Sequence, residues 1–462
     1  MTYLPVLKGM SPQALSRLLL SLAAFSLQPL LAQTPAAPAA TPIAAPATAP
    51  ATTWVIAVRA QRPDAIYHRG EKVNFDVKVT DSGVAVADGL VDWTVVKDGL
   101  PTDQKGRVKL VDGAAIVSGQ LAEPGFIQVK VNYRANEKTA VVPVTGLGGA
   151  AIDPTEIQAS LPVPDDFDAF WAGMKQQLAK VPVAPVLTAV KSPSKEVEVF
   201  DLQAPALGLP ISGYMGRPVG AKAKSLPIIL TVHGAGVSDS SLGGSASWAG
   251  KGFLAMDMNA HGLPNGKPKE FYADLKTGAM KDYRYEHRDS REDAYFTGMM
   301  LRLVRAIDVL TAQPEWDGKH VIVFGSSQGG YQALVAAGLD PRVTFFAAGV
   351  PAGCDHSGML VNRIAGWPKV VPNGADGKPD MKVLTAFRYL DAMNFATRTK
   401  AEGCYLTVGF IDSTCPPTSV YATYNQLSIP KEIYNDVPSG HSFSLEGRQA
   451  MADAVLKYVG KK

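Results

Sequence analysis

Cysteine is scarce in these 462 residues. Cys354, Cys404 and Cys415 are the only three, and none are spaced as C-x-x-C, so no zinc ribbon, dithiol redox centre or other metal site is expected. No G-x-G-x-x-G and no phosphate-binding loop follows a strand-like run, which argues against a nucleotide cofactor; none of any other kind is indicated. Charge of one sign is also missing. With 45 basic against 42 acidic residues, a net +3, and no Lys/Arg tract interleaved with aromatics, nucleic acid is not an expected partner. The apolar run LLLSLAAFSLQPLLA (18–32) is too short for a bilayer and is broken by Gln28 and Pro29, so no membrane partner is expected either. Behind Lys8 and Arg17 it reads as a secretory signal peptide, 1–32, giving a secreted or periplasmic protein in which two of the cysteines can pair.

What is present divides into segments of different period. Residues 33–52 are an Ala/Pro/Thr tract that cannot bury a core and is expected to be a tether. From 53 to 147, short alternating runs such as NFDVKV (74–79), VDWTVV (91–96) and FIQVKVNY (126–133) are separated by turns at Asp81-Ser82-Gly83, Asp98-Gly99 and Asp112-Gly113. Six or seven such strands predict an immunoglobulin-like β-sandwich with Trp93 in its core. The sandwich is expected to be dispensable for chemistry, so that a chain starting near Ala151 keeps whatever activity the rest carries.

From 151 to 462 the pattern changes to near-continuous apolar strands separated by helical stretches: PIILTVH, FLAMDM, VIVFG, VTFFAAGV and CYLTVGF. Strands apolar on both faces belong to a mainly parallel sheet covered by helices, an α/β fold. The Gly- and Pro-rich stretch His356 to Arg388 is expected to be a lid or pocket wall.

Within this sheet VIVFGSSQGG (321–330) sets G-x-S-x-G directly behind a strand and ahead of the helix-like YQALVAAGL, the pattern of a nucleophile elbow. Ser327 is therefore the candidate nucleophile. A serine needs a base and an acid, in chain order Ser, Asp/Glu, His. Asp412 follows the strand CYLTVGF, and His441, 29 residues later, is the only histidine beyond it; Asp436 is the weaker rival acid, too close before His441. For the oxyanion, the backbone N–H groups of Gln328 and Ala235 are the candidates, the latter in the turn His233-Gly234-Ala235-Gly236 with His233 beneath it.

GSSQGG, DSTCPPTSVYATYN (412–425), the following Gly-His, the leading helix DDFDAFWAGMKQQLAKVPVAP (165–185) and VRAIDVLTAQPEWDGKHVIVFG (304–325) resemble the acetyl xylan esterase and cephalosporin C deacetylase family, carbohydrate esterase family seven, over about 160–455. The resemblance implies an α/β-hydrolase that removes acetyl groups from sugars, with Ser327, Asp412 and His441 as triad and Gln328 as an oxyanion donor. Its expected partner is an acetylated oligo- or polysaccharide such as xylan; assembly into a homo-oligomer stays open. Three positions depart from the family. Ala235 stands where an aromatic is usual, Asn259-Ala260-His261-Gly262 where Arg-Gly-Gln is usual, and Ser442 where Glu follows the histidine. Trp248 or Tyr295 is a candidate to refill the space beside Ala235, and Asn259 and His261 read as a satisfied structural turn. The competing functions are a broader carboxylesterase, a peptidase or lactonase on the same scaffold, and a non-catalytic carbohydrate-binding protein.

Overall fold

A computed structural model describes residues 54–442 and 444–461; the expected signal peptide and tether lie outside the described residues. Between Trp54 and Ile152 nine strands form a four-stranded and a five-stranded sheet. Alternation places Val73, Phe75, Val77 and Val79 of the strand Val73–Asp81 inward, all fully buried, while Trp93 packs partly buried against the same core. Three hairpins close through two residues with positive φ, Ser82-Gly83, Asp98-Gly99 and Asp112-Gly113, the type I′ geometry that Asp or Ser followed by Gly supplies. The last strand, Thr145–Ile152, pairs along its whole length with Gly125–Arg134, so a cut at Ala151 falls inside the strand rather than in a linker.

Downstream, nine strands form one sheet in the spatial order Val186–Val190, Val197–Ala204, Ile211–Pro218, Leu254–Met258, Leu226–Val232, Trp316–Ser326, Phe345–Gly349, Gly403–Gly409, Lys431–Asp436. The first three pairings are antiparallel and the remaining five parallel. Helices Leu242–Gly250 and Leu445–Tyr458 cover one face through Trp248, Met451 and Val455. Tyr295–Thr311 and Gln328–Leu339 cover the other. After Leu226–Val232 the chain moves to one side of that strand, and it then returns to build the sheet outward on the other. The switch leaves a crevice at the carboxyl ends of Leu226–Val232 and Trp316–Ser326, the usual position for a ligand in such sheets.

Candidate active site

Ser327 occupies that crevice. It is the residue between strand Trp316–Ser326 and helix Gln328–Leu339, with φ 57° and ψ −120°, a conformation costly for any residue with a side chain. Its neighbours explain how the strain is held. A Cβ on Gly325 would stand 2.5 Å from the Gly329 backbone, and one on Gly329 would stand 2.2 Å from the Val232 carbonyl oxygen, so only glycine allows the turn to close this tightly. Ser327 N–H donates to Gly349 O (2.8 Å), and Ser327 O accepts from Tyr331 and Ala352 N–H (both 3.0 Å).

Asp412 and His441 converge on it. Asp412 lies just beyond strand Gly403–Gly409, fully buried, with Oδ1 accepting the N–H groups of Thr414 (2.7 Å) and Cys415 (2.9 Å). Its Oδ2 accepts from His441 Nδ1 at 2.8 Å, which leaves Nε2 free to accept from Ser327 Oγ at 2.9 Å. Gly409 lets the histidine loop come close, since a Cβ there would meet Gly440 O at 2.4 Å. Asp436 is no part of this chain: its carboxylate accepts from Ser444 N–H (2.6 Å) at the start of the last helix. Cys415 places its sulfur beside the pair, one donor atom of each of Asp412, Cys415 and His441 lying within 4.8 Å of the others. Burial, then the charge of Asp412, push the Cys415 thiol up, so it stays protonated and inert. All three cysteines are buried and unpaired, so the pairing left open for two of them is not formed.

The turn His233 to Gly236 packs against the elbow: a Cβ on Gly234 would be 3.7 Å from Ser327 Cβ. Ala260 N–H donates to His233 Nε2 (3.2 Å), so Nδ1 carries the ring proton and donates it to Gly234 O (2.7 Å). In a trans peptide C=O and N–H point opposite ways, and this bond therefore turns Ala235 N–H away from the imidazole. Gln328 is buried at the start of its helix, its side-chain oxygen accepting from Tyr283 Oη (2.7 Å). Tyr283 comes from a single helical turn, Tyr283–Tyr285, in an irregular stretch with no periodicity to mark it.

Beneath the turn, Asn259 Nδ2 donates to Ser238 O (2.8 Å) and His261 Nε2 to Gly236 O (2.9 Å), while Tyr295 Oη donates to His261 Nδ1 (2.8 Å). Burial drives the His261 pKa down to about 3, so the ring stays neutral and serves as a brace. The fully buried Arg302 binds Ala260 O through Nε (3.1 Å) and Nη2 (2.8 Å). Trp248 does not wall the turn: it belongs to the cluster on the other face of the sheet, edge-on to Phe253 and Phe324, while Tyr295 bonds His261 through its hydroxyl.

The acetyl xylan esterase (AXE1) family matches residues 155–452. An acetyl esterase, Axe7A, of Xylanibacter ruminicola is 31% identical over 377 residues, 80% of this chain and 82% of that protein. Among solved structures, the acetyl xylan esterase of Paenibacillus sp. R4 aligns with a TM-score of 0.57 and 25% identity, over 65% of this chain and 97% of its own. Acetyl xylan esterase 1 of Thermoanaerobacterium sp. shares the fold, with a TM-score of 0.52 and 22% identity over 65% of this chain and 96% of its own. With a strained serine, an imidazole and a buried carboxylate in one hydrogen-bonded line on an α/β-hydrolase sheet, this chain belongs to the acetyl xylan esterase family of carboxylic ester hydrolases.

Proposed function

We propose that the chain deacetylates carbohydrate, acetylated xylan or its oligosaccharides, with Ser327 as nucleophile, His441 as base and Asp412 as the acid that orients it. The observation that carries this reading is the line Ser327 Oγ, His441 Nε2, His441 Nδ1, Asp412 Oδ2, closed by contacts of 2.9 and 2.8 Å. As Ser327 Oγ attacks the acetyl carbonyl, its proton passes to His441 Nε2, and the imidazolium is held by Asp412. Charge developing on the carbonyl oxygen is met by the N–H groups of Ala235 and Gln328. The intermediate collapses to acetyl-Ser327 as its bond to the sugar oxygen breaks and His441 passes the proton to that oxygen, which leaves as a hydroxyl. Water then repeats the sequence and releases acetate. The names of the relatives support acetyl as the acyl group and xylan as the substrate class.

The amino-terminal sheets are read as an immunoglobulin-like sandwich, on the strength of their two-sheet core and tight hairpins. Export to the periplasm or exterior is supported by the 1–32 pattern and the Ala/Pro/Thr composition of 33–52. Ser327→Ala should lower acetate release from acetylated xylan and from 4-nitrophenyl acetate by several orders of magnitude without unfolding the protein. Wild-type turnover in that variant would refute the assignment.

A further inference from the structure

The turn that carries Asp412 is held from outside the hydrolase sheet. Gln128 Nε2, on strand Gly125–Arg134, donates to Phe410 O (3.0 Å), and Phe126 packs edge-on to the Phe410 ring at 5.0 Å. A Cβ on Gly149 would stand 2.8 Å from the same Phe410 oxygen, so the amino-terminal sheet lies directly against the backbone two residues before the acid. On the other side of the turn, Thr418 in helix Pro417–Asn425 donates its hydroxyl to the buried carboxylate of Asp98, which also accepts Phe126 N–H (2.7 Å). Asp98 O accepts Ile364 N–H (3.1 Å), and three residues on Trp367 N–H donates to Thr414 O (2.7 Å), which straps the 364–367 segment across the acid turn. A small void bordered by Asp98, Phe126, Gln128, Ile364, Asp412 and Thr418 joins the two parts.

We propose that the Asp98-Gly99 hairpin and strand Gly125–Arg134 form an intramolecular brace that sets the position of Asp412, with Asp98 and Gln128 as positioning residues acting through Thr418 and Phe410. The proposal rests on the triad reading above. A carboxylate orients its histidine only while held to within about 0.5 Å and 10–20°, and the chain supplies that restraint on both flanks of the turn from the same sheet. The solved relatives align over nearly their whole length with 65% of this chain, and the family match begins at residue 155, downstream of the brace. The match to the Xylanibacter acetyl esterase reaches into it, since 80% of 462 is about 370 residues and only 312 lie from Ala151 to Lys462.

The test uses the full chain and 4-nitrophenyl acetate. Gln128→Ala and Asp98→Ala should each lower kcat about tenfold with KM changed less than about twofold, since the acyl pocket is untouched and only the base is misaligned. The acid limb of kcat/KM should move to lower pH, because an imidazolium less well supported by Asp412 forms less readily. Asp98→Asn, which keeps an accepting oxygen for Thr418 and Phe126, should restore kcat and the limb. Unchanged kcat and pH profile in folded Gln128→Ala and Asp98→Ala would overturn the proposal; should Asp98→Ala not fold, Gln128→Ala, a partly exposed side chain, decides alone. Asp412→Ala in the same assay separates the two claims. If it is crippled while Gln128→Ala is not, only the brace fails; wild-type turnover in Asp412→Ala would remove the triad reading and the brace with it.

Discussion

The turns that carry Ser327 and Asp412 lie in the same crevice but are held in place by opposite means. The serine elbow is steric: Gly325, Gly329 and Val232 leave its backbone no other path, and the closest approaches come from the strand and helix that flank it and from the neighbouring strand end. The acid turn is cohesive, held by hydrogen bonds and ring packing from residues about 280 to 320 positions earlier in the chain. A steric device is specified locally and fails abruptly. A cohesive one depends on how two separately patterned regions dock, and it weakens by degrees.

One glycine substitution at each turn is the sharpest way to break that contrast. Gly329→Ala should be the more severe, with its Cβ forced to 2.2 Å from Val232 O; we expect at least about 100-fold loss of kcat and about 2–4 kcal/mol of stability. Gly149→Ala presses on Phe410 O at 2.8 Å from the brace side and should cost kcat about tenfold while the protein stays folded. Urea melts and turnover of 4-nitrophenyl acetate check both, and equal effects at the two positions would erase the distinction.

The two sides also differ in their response to pH. His356, edge-on to Tyr331 of the elbow helix, is held by burial at a pKa of about 4, below the unfolded value of about 6.5. Its stability contribution is therefore present above pH 6.5 and is lost as pH falls toward 4, about 2 kcal/mol of it between pH 7 and 5. Asp98 in the brace has the opposite sign: burial raises its pKa, so its contribution is present below about 3.9 and is lost as pH rises through the folded value. Unfolding measured at pH 7 and 5 should show a smaller acid loss in His356→Leu than in the wild type, and Asp98→Asn should gain more relative to the wild type at pH 7 than at pH 4. An unchanged acid loss in His356→Leu would remove that half of the contrast.

The smallest effect concerns Ala235, which is exposed beside the elbow, with Trp248 packed on the other face of the sheet. Ala235→Tyr should widen the preference for acetate over butyrate, within the roughly 1–3 kcal/mol that each of the two extra methylenes is worth in an apolar pocket. The check is kcat/KM for 4-nitrophenyl acetate, propionate and butyrate in both proteins. Better turnover of butyrate than acetate by the wild type would favour a broad carboxylesterase.

The elbow was legible because its cause is local: apolar strand, glycines at fixed offsets, then a helix. Asp412 and His441 were legible by order and strand ends, and the structure brings all three together. The antiparallel strands Val186–Val190, Val197–Ala204 and Ile211–Pro218 carried too little continuous apolar character to stand out. Gln128 and Asp98 read as an ordinary strand residue and a hairpin residue, since nothing in alternation or turn chemistry says which outer surface meets another region. The same gap lies behind the expectation that the amino-terminal sheets are dispensable, which took no account of their contacts with Phe410 and Thr418; the proposed brace predicts the opposite outcome. Trp248 was misplaced for a related reason: spacing shows that a helix residue is buried, not which side of the sheet it covers.

Cys415 turns the acid region into its own reporter. Its sulfur is sealed behind the Asp412 carboxylate and its thiol stays protonated. A thiol reagent therefore modifies it only during excursions in which the segment swings away from its support. In a protein whose Cys354 and Cys404 have been replaced, the labelling half-time measures how often that happens. The brace variants can then be ranked by opening frequency, without any substrate present.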